Sequence, residues 1–275
     1  MPAYVACERG YFREQGIDIQ LEVEATAWLV PERMLRGEVQ FAVIPWTRVV
    51  AASVRGEPLV LLCGSGCEEA AIVVRHGLAT GEVRRVAIPQ RGGMKDLTAA
   101  GLMCSLGWDD VETIRLPSGD GAILSLVGRG ADAASMVEPY ASMLEHLRIG
   151  TVVRRTGDLW PGAPGCSLTT TAEIVMCQPD LVQRMITAFV LGARFVDSDQ
   201  EQSAEIASCY IGVAPEFIRG ALIHNRPNVR ALSNEGAMND VIDLMLKMGY
   251  VADWPTRGYK DLSFLEKAMT SPAAA

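Results

Sequence analysis

The sequence predicts an α/β fold made of two similar lobes. Period-two alternation of apolar residues predicts short strands, helical spacing predicts the segments between them, and the two kinds of element alternate up to the Gly/Pro-rich stretch Trp160–Gly165. Two stretches, Arg36–Trp46 and Arg129–Tyr140, share a helix-ending Arg-Gly, a buried strand and a Pro-aromatic pair. Open α/β sheets bind ligands beyond the carboxyl ends of their strands, so the two similar stretches predict two lobes with a shared ligand cleft.

The predicted elements follow one another along the chain, with parallel sheets expected from the alternation. A strand is predicted over Ile17–Glu24, and a helix over Trp28–Arg36, where Pro31 is tolerated in the first turn. Further strands are predicted over Gln40–Ile44, Leu59–Cys63, Ala71–Val74, Arg85–Pro89, Val111–Leu116, Ala133–Val137 and Thr151–Val153. Helices are predicted over Thr47–Arg55, from Lys95 to Leu106, over Ala122–Arg129, from Tyr140, and over Pro179–Asp197, Ser203–Tyr210, Pro215–Ile223 and Glu235–Met248.

Composition argues against several kinds of function. The net charge of -8 and the absence of Lys/Arg runs argue against a nucleic-acid partner. No apolar run approaches the roughly 20 residues that span a bilayer. The seven cysteines are odd in number and scattered, and the Cys63 to Cys67 spacing offers no second pair, so neither a disulfide framework nor a metal site is predicted. We expect no cofactor.

The opening of the chain carries a family signal. Tyr4–Val23 combines a short helix ending at Gly10, the aromatic pair after it, a turn at Gly16 and an alternating apolar stretch from Ile17. This resembles the start of the nitrate/taurine-type (NitT/TauT), alkanesulfonate-binding and thiamine-precursor-binding proteins of ABC importers. Three later stretches are also similar to that family: Gln178–Ala188, Met248–Tyr250 and Asp261–Leu265.

The resemblance implies a type II periplasmic-binding-protein fold that closes on its ligand by hinge motion. Residues 1–84 and 170–275 would form lobe I, and residues 85–169 lobe II. The implied partners are a small-molecule ligand and an ABC permease–ATPase complex, with a monomeric protein in the periplasm. Family members have a strand before the position of Tyr4, so the first strand is expected to be missing. No signal-peptide pattern follows Met1, so the cytoplasm stays an alternative location.

Lobe I offers four candidate ligand-binding residues. Trp46 and Thr47 follow the Gln40–Ile44 strand, where the resemblance places ligand contacts, and an aromatic face can stack on a planar ligand or a cation. Trp28 stands at the start of its predicted helix. Ser65, between two glycines, follows the Leu59–Cys63 strand. For the tryptophans the alternative is ordinary core packing.

Lobe II offers an anion-binding turn and a carboxylate. Arg91, Gly92, Gly93 and Met94 follow a predicted strand and lead into a helix that begins at Lys95, an arrangement in which backbone N–H groups and a helix N-terminus favour an anion. Glu138 and Tyr140 occupy the equivalent strand end in this lobe. The alternative for the glycine-rich segment is a plain tight turn, and the alternative for Glu138 and Tyr140 is a hinge or a surface pair.

Three possibilities stay open at this point, of which one, a cytosolic ligand sensor or a non-functional fragment, depends on the expected loss of the first strand. The first is a solute-binding protein for a small organic anion, such as a sulfonate, a carboxylate or a pyrimidine-like compound. The second is an enzyme on the same fold, similar to the pyrimidine synthase of thiamine biosynthesis or to a desulfinase, with Cys67 as its nucleophile. No catalytic constellation is evident in the sequence, which favours the first.

Overall fold

A computed structural model describes residues 1–24, 29–89, 94–116 and 119–270, without the side chains of residues 94, 119 and 120. The helices are α1 (Pro2–Glu8), α2 (Tyr11–Glu14), α3 (Val30–Leu35), α4 (Trp46–Val54), α5 (Met94–Ser105), α6 (Gly119–Val127), α7 (Tyr140–His146), α8 (Ala172–Cys177), α9 (Pro179–Ser198), α10 (Gln200–Ile211), α11 (Pro215–Leu222), α12 (Glu235–Lys247) and α13 (Ser263–Thr270). The strands are β1 (Ala42–Pro45), β2 (Leu59–Gly64), β3 (Ala70–Arg75), β4 (Arg85–Pro89), β5 (Glu112–Leu116), β6 (Ala133–Val137), β7 (Gly150–Arg155) and β8 (Cys166–Thr171).

The strands form two sheets, which confirms the α/β class. The first sheet has the order β1-β8-β2, with β8 antiparallel to both neighbours. The second has the order β5-β4-β6-β3-β7. Within it β4 pairs in parallel with β5 and β6, whereas β3 is antiparallel to β6 and β7. The expectation of purely parallel sheets is therefore wrong: β3 and β8 enter their sheets through direct crossings, without the helical crossover that parallel neighbours need.

The chain changes sheet twice. It leaves the first sheet after β2, crosses at residues 65–69 and enters the second as β3. It leaves the second sheet after β7, crosses at residues 156–165 and returns to the first as β8. The first change of sheet thus comes earlier than the predicted boundary at residue 85. The assignment of residues 1–84 and 170–275 to one lobe and 85–169 to the other stays a prediction.

Both sheets are covered on both faces. Along β2, Leu59 and Leu61 belong to a cluster with residues of α4 and α12, while Val60 and Leu62 belong to a cluster with residues of α9. The strand β3 likewise divides its side chains between two clusters in the second sheet. Double coverage explains why both strands are continuous apolar runs in the sequence.

The predicted strand over Ile17–Glu24 is not a strand in the structure. Ile17 is buried and Ile19 packs against the same cluster, so the alternating pattern does orient these side chains inward. The segment has no hydrogen-bonded partner strand within the described parts of the chain. Apolar alternation sets which side chains face the core, but strand geometry also requires a neighbouring ladder.

Candidate functional site

The ends of several strands meet where the chain crosses between the sheets. The returning segment Pro164–Cys166 lies at the centre of this region. Trp46 at the start of α4 donates its indole N–H to the Pro164 carbonyl oxygen at 2.9 Å. On the outgoing crossing, the Ser65 amide donates to the Cys166 carbonyl at 2.9 Å, and the Gly165 amide donates to Gly66 at 3.0 Å. These bonds hold the two crossings side by side.

The two crossings, residues 65–69 and 156–165, and the strand ends beside them form the junction between the sheets, and a small cavity lies there. Its volume of ≈ 10 Å³ has room for about one water molecule. Both crossings, strands β3 and β6 and helix α5 line it, through Glu68, Glu69, Ala70, Lys95, Thr98, Val137, Thr156, Pro164 and Gly165. Pockets for small molecules are larger, roughly 300–1,000 Å³, so a solute would enter here only if the two sheets moved apart.

Thr98 of α5 is the most informative residue of the cavity. It is 0% exposed, and its hydroxyl oxygen has no hydrogen-bond partner within the described residues. Thr47, in the first turn of α4, is buried, and its hydroxyl likewise has no partner in the part of the chain that the structure describes. Buried polar groups normally have partners, because leaving one unsatisfied costs about 1–3 kcal/mol. An orphaned hydroxyl lining a cavity is therefore suited to a ligand.

Glu69 places a carboxyl group beside the same cavity. The Cys166 thiol donates to its Oε1 at 3.6 Å. The carboxyl group lies over Gly165, where an added Cβ would be 2.6 Å from Oε2. Burial raises the pKa of Glu69, and the nearby Lys95 ammonium opposes this rise without cancelling it. The protonated carboxyl is therefore favoured more than in water, and in that form it can donate a hydrogen bond.

The lobe I candidates lie in the crossing region, but they are packed into it. Trp46 is 0% exposed and belongs to the cluster that includes Leu59 and Leu61. Ser65 is buried and is held through its backbone amide. The Thr47 side chain carries a buried hydroxyl for which the described residues offer no hydrogen-bond partner.

Glu138 and Tyr140 lie next to Glu69 on the other side of the junction. The Glu138 amide donates to the Glu69 carbonyl at 2.9 Å. Its carboxylate pairs with Arg155 and accepts the Ser142 amide at 3.0 Å, so it also caps α7. Tyr140 begins α7 and is half-buried against two apolar clusters. The Glu138 carboxylate thus already has protein partners.

Four predicted residues, Trp28, Arg91, Gly92 and Gly93, lie outside the described residues. Met94 is the first residue of α5. The prediction of an anion-binding turn is accordingly neither supported nor contradicted by the geometry. Sequence reasoning missed Glu69, Thr98 and Cys166 as members of the junction. The signal available for them was the position of Glu69 and Cys166 beside the two crossings.

The cysteines near the junction are not prepared as nucleophiles. Burial raises the pKa of the Cys67 thiol, which lies 3.9 Å from the Asn228 side-chain nitrogen. Burial also raises the pKa of Cys166 well above its ordinary value, and Glu69 adds to this. Thiolates are the reactive form, so both environments oppose nucleophilic attack. Within the described residues no group of three or more His, Cys, Asp or Glu side chains could hold a metal ion.

No helix in the part of the chain that the structure describes has the length and apolar character to cross a membrane.

Comparison with known proteins places this geometry in context. The ligand-binding component of an ABC-type import system from Staphylococcus aureus superposes with a TM-score of 0.82 at 14% identity, over 98% of this chain and 97% of that chain. The alkanesulfonate-binding protein SsuA from Xanthomonas axonopodis pv. citri, bound to MOPS, gives 0.78 at 14% identity, over 95% and 94%. The periplasmic nitrate-binding protein NrtA from Synechocystis gives 0.77 at 15% identity, over 97% and 84%.

These structures share the fold of this chain, and the predicted periplasmic-binding-protein fold is thereby confirmed. A search of curated proteins by sequence finds no match. A family model, described as the NMT1-like family, matches residues 1–211. The match covers most of the chain and agrees with the resemblance to nitrate/taurine-type solute-binding proteins, so the chain belongs to the NMT1-like family.

Proposed function

We propose that this protein is the solute-binding component of an ABC importer and captures a small organic anion between its two lobes. The ligand would be a sulfonate, a carboxylate or a pyrimidine-like compound carrying negative charge. The observation that carries the proposal is the unpartnered Thr98 hydroxyl in a cavity enclosed by both chain crossings. Family membership and the likeness to importer components support the binding role.

An anionic ligand is favoured by the charges and donors at the junction. Lys95 lines the cavity and would pair directly with an anion. The N-terminal end of α5, which contains both Lys95 and Thr98, adds the positive end of a helix dipole. The lining also holds two carboxyl groups. Glu68 already accepts the Gly162 amide, and burial raises the pKa of Glu69, which in its protonated form would donate a hydrogen bond to the ligand. Arg91, Gly92, Gly93 and Met94 immediately precede Lys95 in the sequence, and their predicted role in anion binding is part of the same proposal.

The proposal includes motion, location and partners. The cavity of ≈ 10 Å³ cannot hold an organic anion, so binding requires the lobes to open and then to close about residues 65–69 and 156–165. An importer component of this kind acts outside the cytoplasm, as a monomer, and passes its solute to a permease–ATPase complex. The likeness to importer components supports the proposed permease complex and extracytoplasmic location.

A ligand screen with one substitution tests the proposal. Thermal shifts measured with alkanesulfonates, aromatic carboxylates and aminopyrimidines should identify one class that stabilises the protein saturably. Thr98→Val keeps the shape and removes a hydroxyl that has no partner among the described residues, so the melting temperature should not fall. Affinity for the hit should weaken roughly two- to tenfold, the contribution of one hydrogen bond.

A matched control separates the cavity from a general effect of removing buried hydroxyls. Ser203 in α10 is also fully buried with no hydroxyl partner among the described residues, but it does not line the cavity. Ser203→Ala should leave affinity unchanged. If Thr98→Val binds the hit as tightly as the wild type, the hydroxyl does not serve the ligand. Conversion of the hit into a product would favour the enzyme alternative.

A further inference from the structure

A second concave site lies at the far end of the five-stranded sheet. A groove of ≈ 280 Å³ is lined by Arg75, His76, Leu126, Val127, Arg129 and Ile149. The strand β3 begins at Ala70, which lines the cavity at the crossings, and ends at Arg75 in the groove. At about 3.3 Å per residue, the two sites are roughly 17 Å apart along this strand. The groove is therefore distinct from the proposed solute cleft.

Cationic groups in the groove have unused hydrogen-bonding capacity. Arg75 pairs with Asp132 at 3.1 Å, yet its buried Nε has no hydrogen-bond partner among the described residues. The other Asp132 oxygen accepts the amides of Arg84 and Arg85, each at 3.0 Å. Both oxygens of the Asp132 carboxylate thus already accept hydrogen bonds.

The two remaining polar side chains of the lining, His76 and Arg129, have no such acidic partner. Neither side chain makes an ion pair or a hydrogen bond within the described parts of the chain. The groove thus brings donor side chains together, although the net charge of the protein is -8. An anion in the groove would meet three cationic or donor side chains and one carboxylate that is already neutralised.

The rest of the lining is apolar. Leu126 is 1% exposed and Ile149 is partly buried, while Val127 is 57% exposed. A free inorganic anion would use the donors but leave this surface in water. A ligand with an apolar body as well as a charged head would use both.

The backbone of Arg129 has an unusual conformation for a residue with a side chain. Its φ of 56° is left-handed, a conformation that favours glycine at the end of a helix. A cation near the C-terminus of α6 would also compensate the helix dipole. Dipole compensation explains a cation at this place, but it explains neither the unpartnered Arg75 Nε nor the exposed Val127. We propose that this groove binds a small amphipathic organic anion, whose acidic head contacts Arg75, His76 and Arg129 and whose apolar body covers Leu126, Val127 and Ile149.

The test uses octanoate as the probe and Arg129→Gly as the variant. Calorimetric titration of the full chain should give one saturable site that octanol, the uncharged analogue, does not share. Arg129→Gly removes the guanidinium and relaxes the left-handed backbone, so the variant should melt at the same or a higher temperature. Loss of one charge-assisted hydrogen bond should weaken octanoate binding about tenfold or more.

Arg148 provides the matched control. It also has a left-handed backbone, with φ 55°, and follows α7, but it is not part of the groove lining. Arg148→Gly should change octanoate affinity less than about twofold, the change expected for a surface charge outside the site. Three results would overturn the proposal: no saturable binding, equal weakening by both variants, or weakening by Thr98→Val and not by Arg129→Gly. The last would place octanoate in the solute cleft.

Discussion

Trp46 is the residue at which core packing and ligand binding can be separated by one substitution. Its indole is fully buried and donates to the Pro164 carbonyl at 2.9 Å, so it ties helix α4 to the returning crossing. Phenylalanine would keep an aromatic ring at the site but lose this donor. Trp46→Phe therefore tests whether the side chain stabilises the junction or serves a ligand.

The expected loss of stability has two parts. Removing the indole donor leaves the Pro164 carbonyl without that partner, at a cost of about 1–3 kcal/mol. The smaller ring also leaves a void in a fully buried site, which adds about 1 kcal/mol. The sum is roughly 2–4 kcal/mol. In a chain of this size each kcal/mol of lost stability lowers the melting temperature by about 2–4 °C. The melting temperature of Trp46→Phe should therefore fall by at least about 4 °C.

Thermal and urea denaturation measure this loss, with Trp254→Phe as the control. Trp254 is 43% exposed, and its replacement should change stability by less than about 0.5 kcal/mol. Once a ligand is known, Trp46→Phe should bind it with little change in affinity at a temperature where the variant is folded. Wild-type stability combined with lost ligand binding would refute the assignment of Trp46 to the core.

Three further predictions concern sterics and pH. In Gly64→Ala the new Cβ would lie 2.3 Å from the Asn228 carbonyl oxygen. The free energy of unfolding, measured by urea titration, should therefore fall by about 1–3 kcal/mol. Gly81→Ala is the control, because its new Cβ would have no atom within 4 Å and stability should not change. Burial raises the Asp132 pKa, but hydrogen bonds to the carboxylate outweigh this and lower it overall. The stabilisation that the Asp132 carboxylate gives the fold is therefore lost as pH falls. Asp132→Asn should flatten the acid side of a plot of melting temperature against pH. The pKa of Glu69 is raised, so its effect on stability runs the other way. The protonated Glu69 stabilises the fold below the ordinary carboxyl pKa, and this stabilisation is lost as pH rises through the raised pKa. Glu69→Gln should remove that loss, and an unchanged profile for either variant would contradict the corresponding assignment.

Much of the fold could be predicted because its signals are local. The long helix α9 spans Pro179–Ser198, and the helical spacing of its apolar residues predicts it over Pro179–Asp197. The doubly covered strands β2 and β3 were predicted from short apolar runs. Ile17–Glu24 shows the limit of such local signals: its alternating pattern predicts a strand, but the described residues offer it no partner strand, and Val23 is 58% exposed although Ile17 and Ile19 face the core.

The junction could not be predicted because its contacts join distant parts of the chain. The thiol of Cys166 meets the carboxyl group of Glu69 across a separation of 97 residues. Thr98 has the local appearance of any buried helical residue, and its unpartnered hydroxyl becomes visible only with the packing around α5. In contrast, the strand-end rule uses local signals, and two of the residues it selects, Trp46 and Ser65, both contact the returning segment.

The most direct test of the account is a calorimetric titration of the best ligand from the screen into wild type and Lys95→Ala, followed by chemical analysis of the recovered ligand. We predict one site per chain, affinity at least about tenfold weaker without the Lys95 ammonium, and ligand recovered unchanged. A ligand held at a hundredfold excess over its dissociation constant should also stabilise the fold by about 2.7 kcal/mol. Binding that is indifferent to Lys95→Ala, or recovery of a converted product, would contradict the claim that the cleft captures a small organic anion for transport.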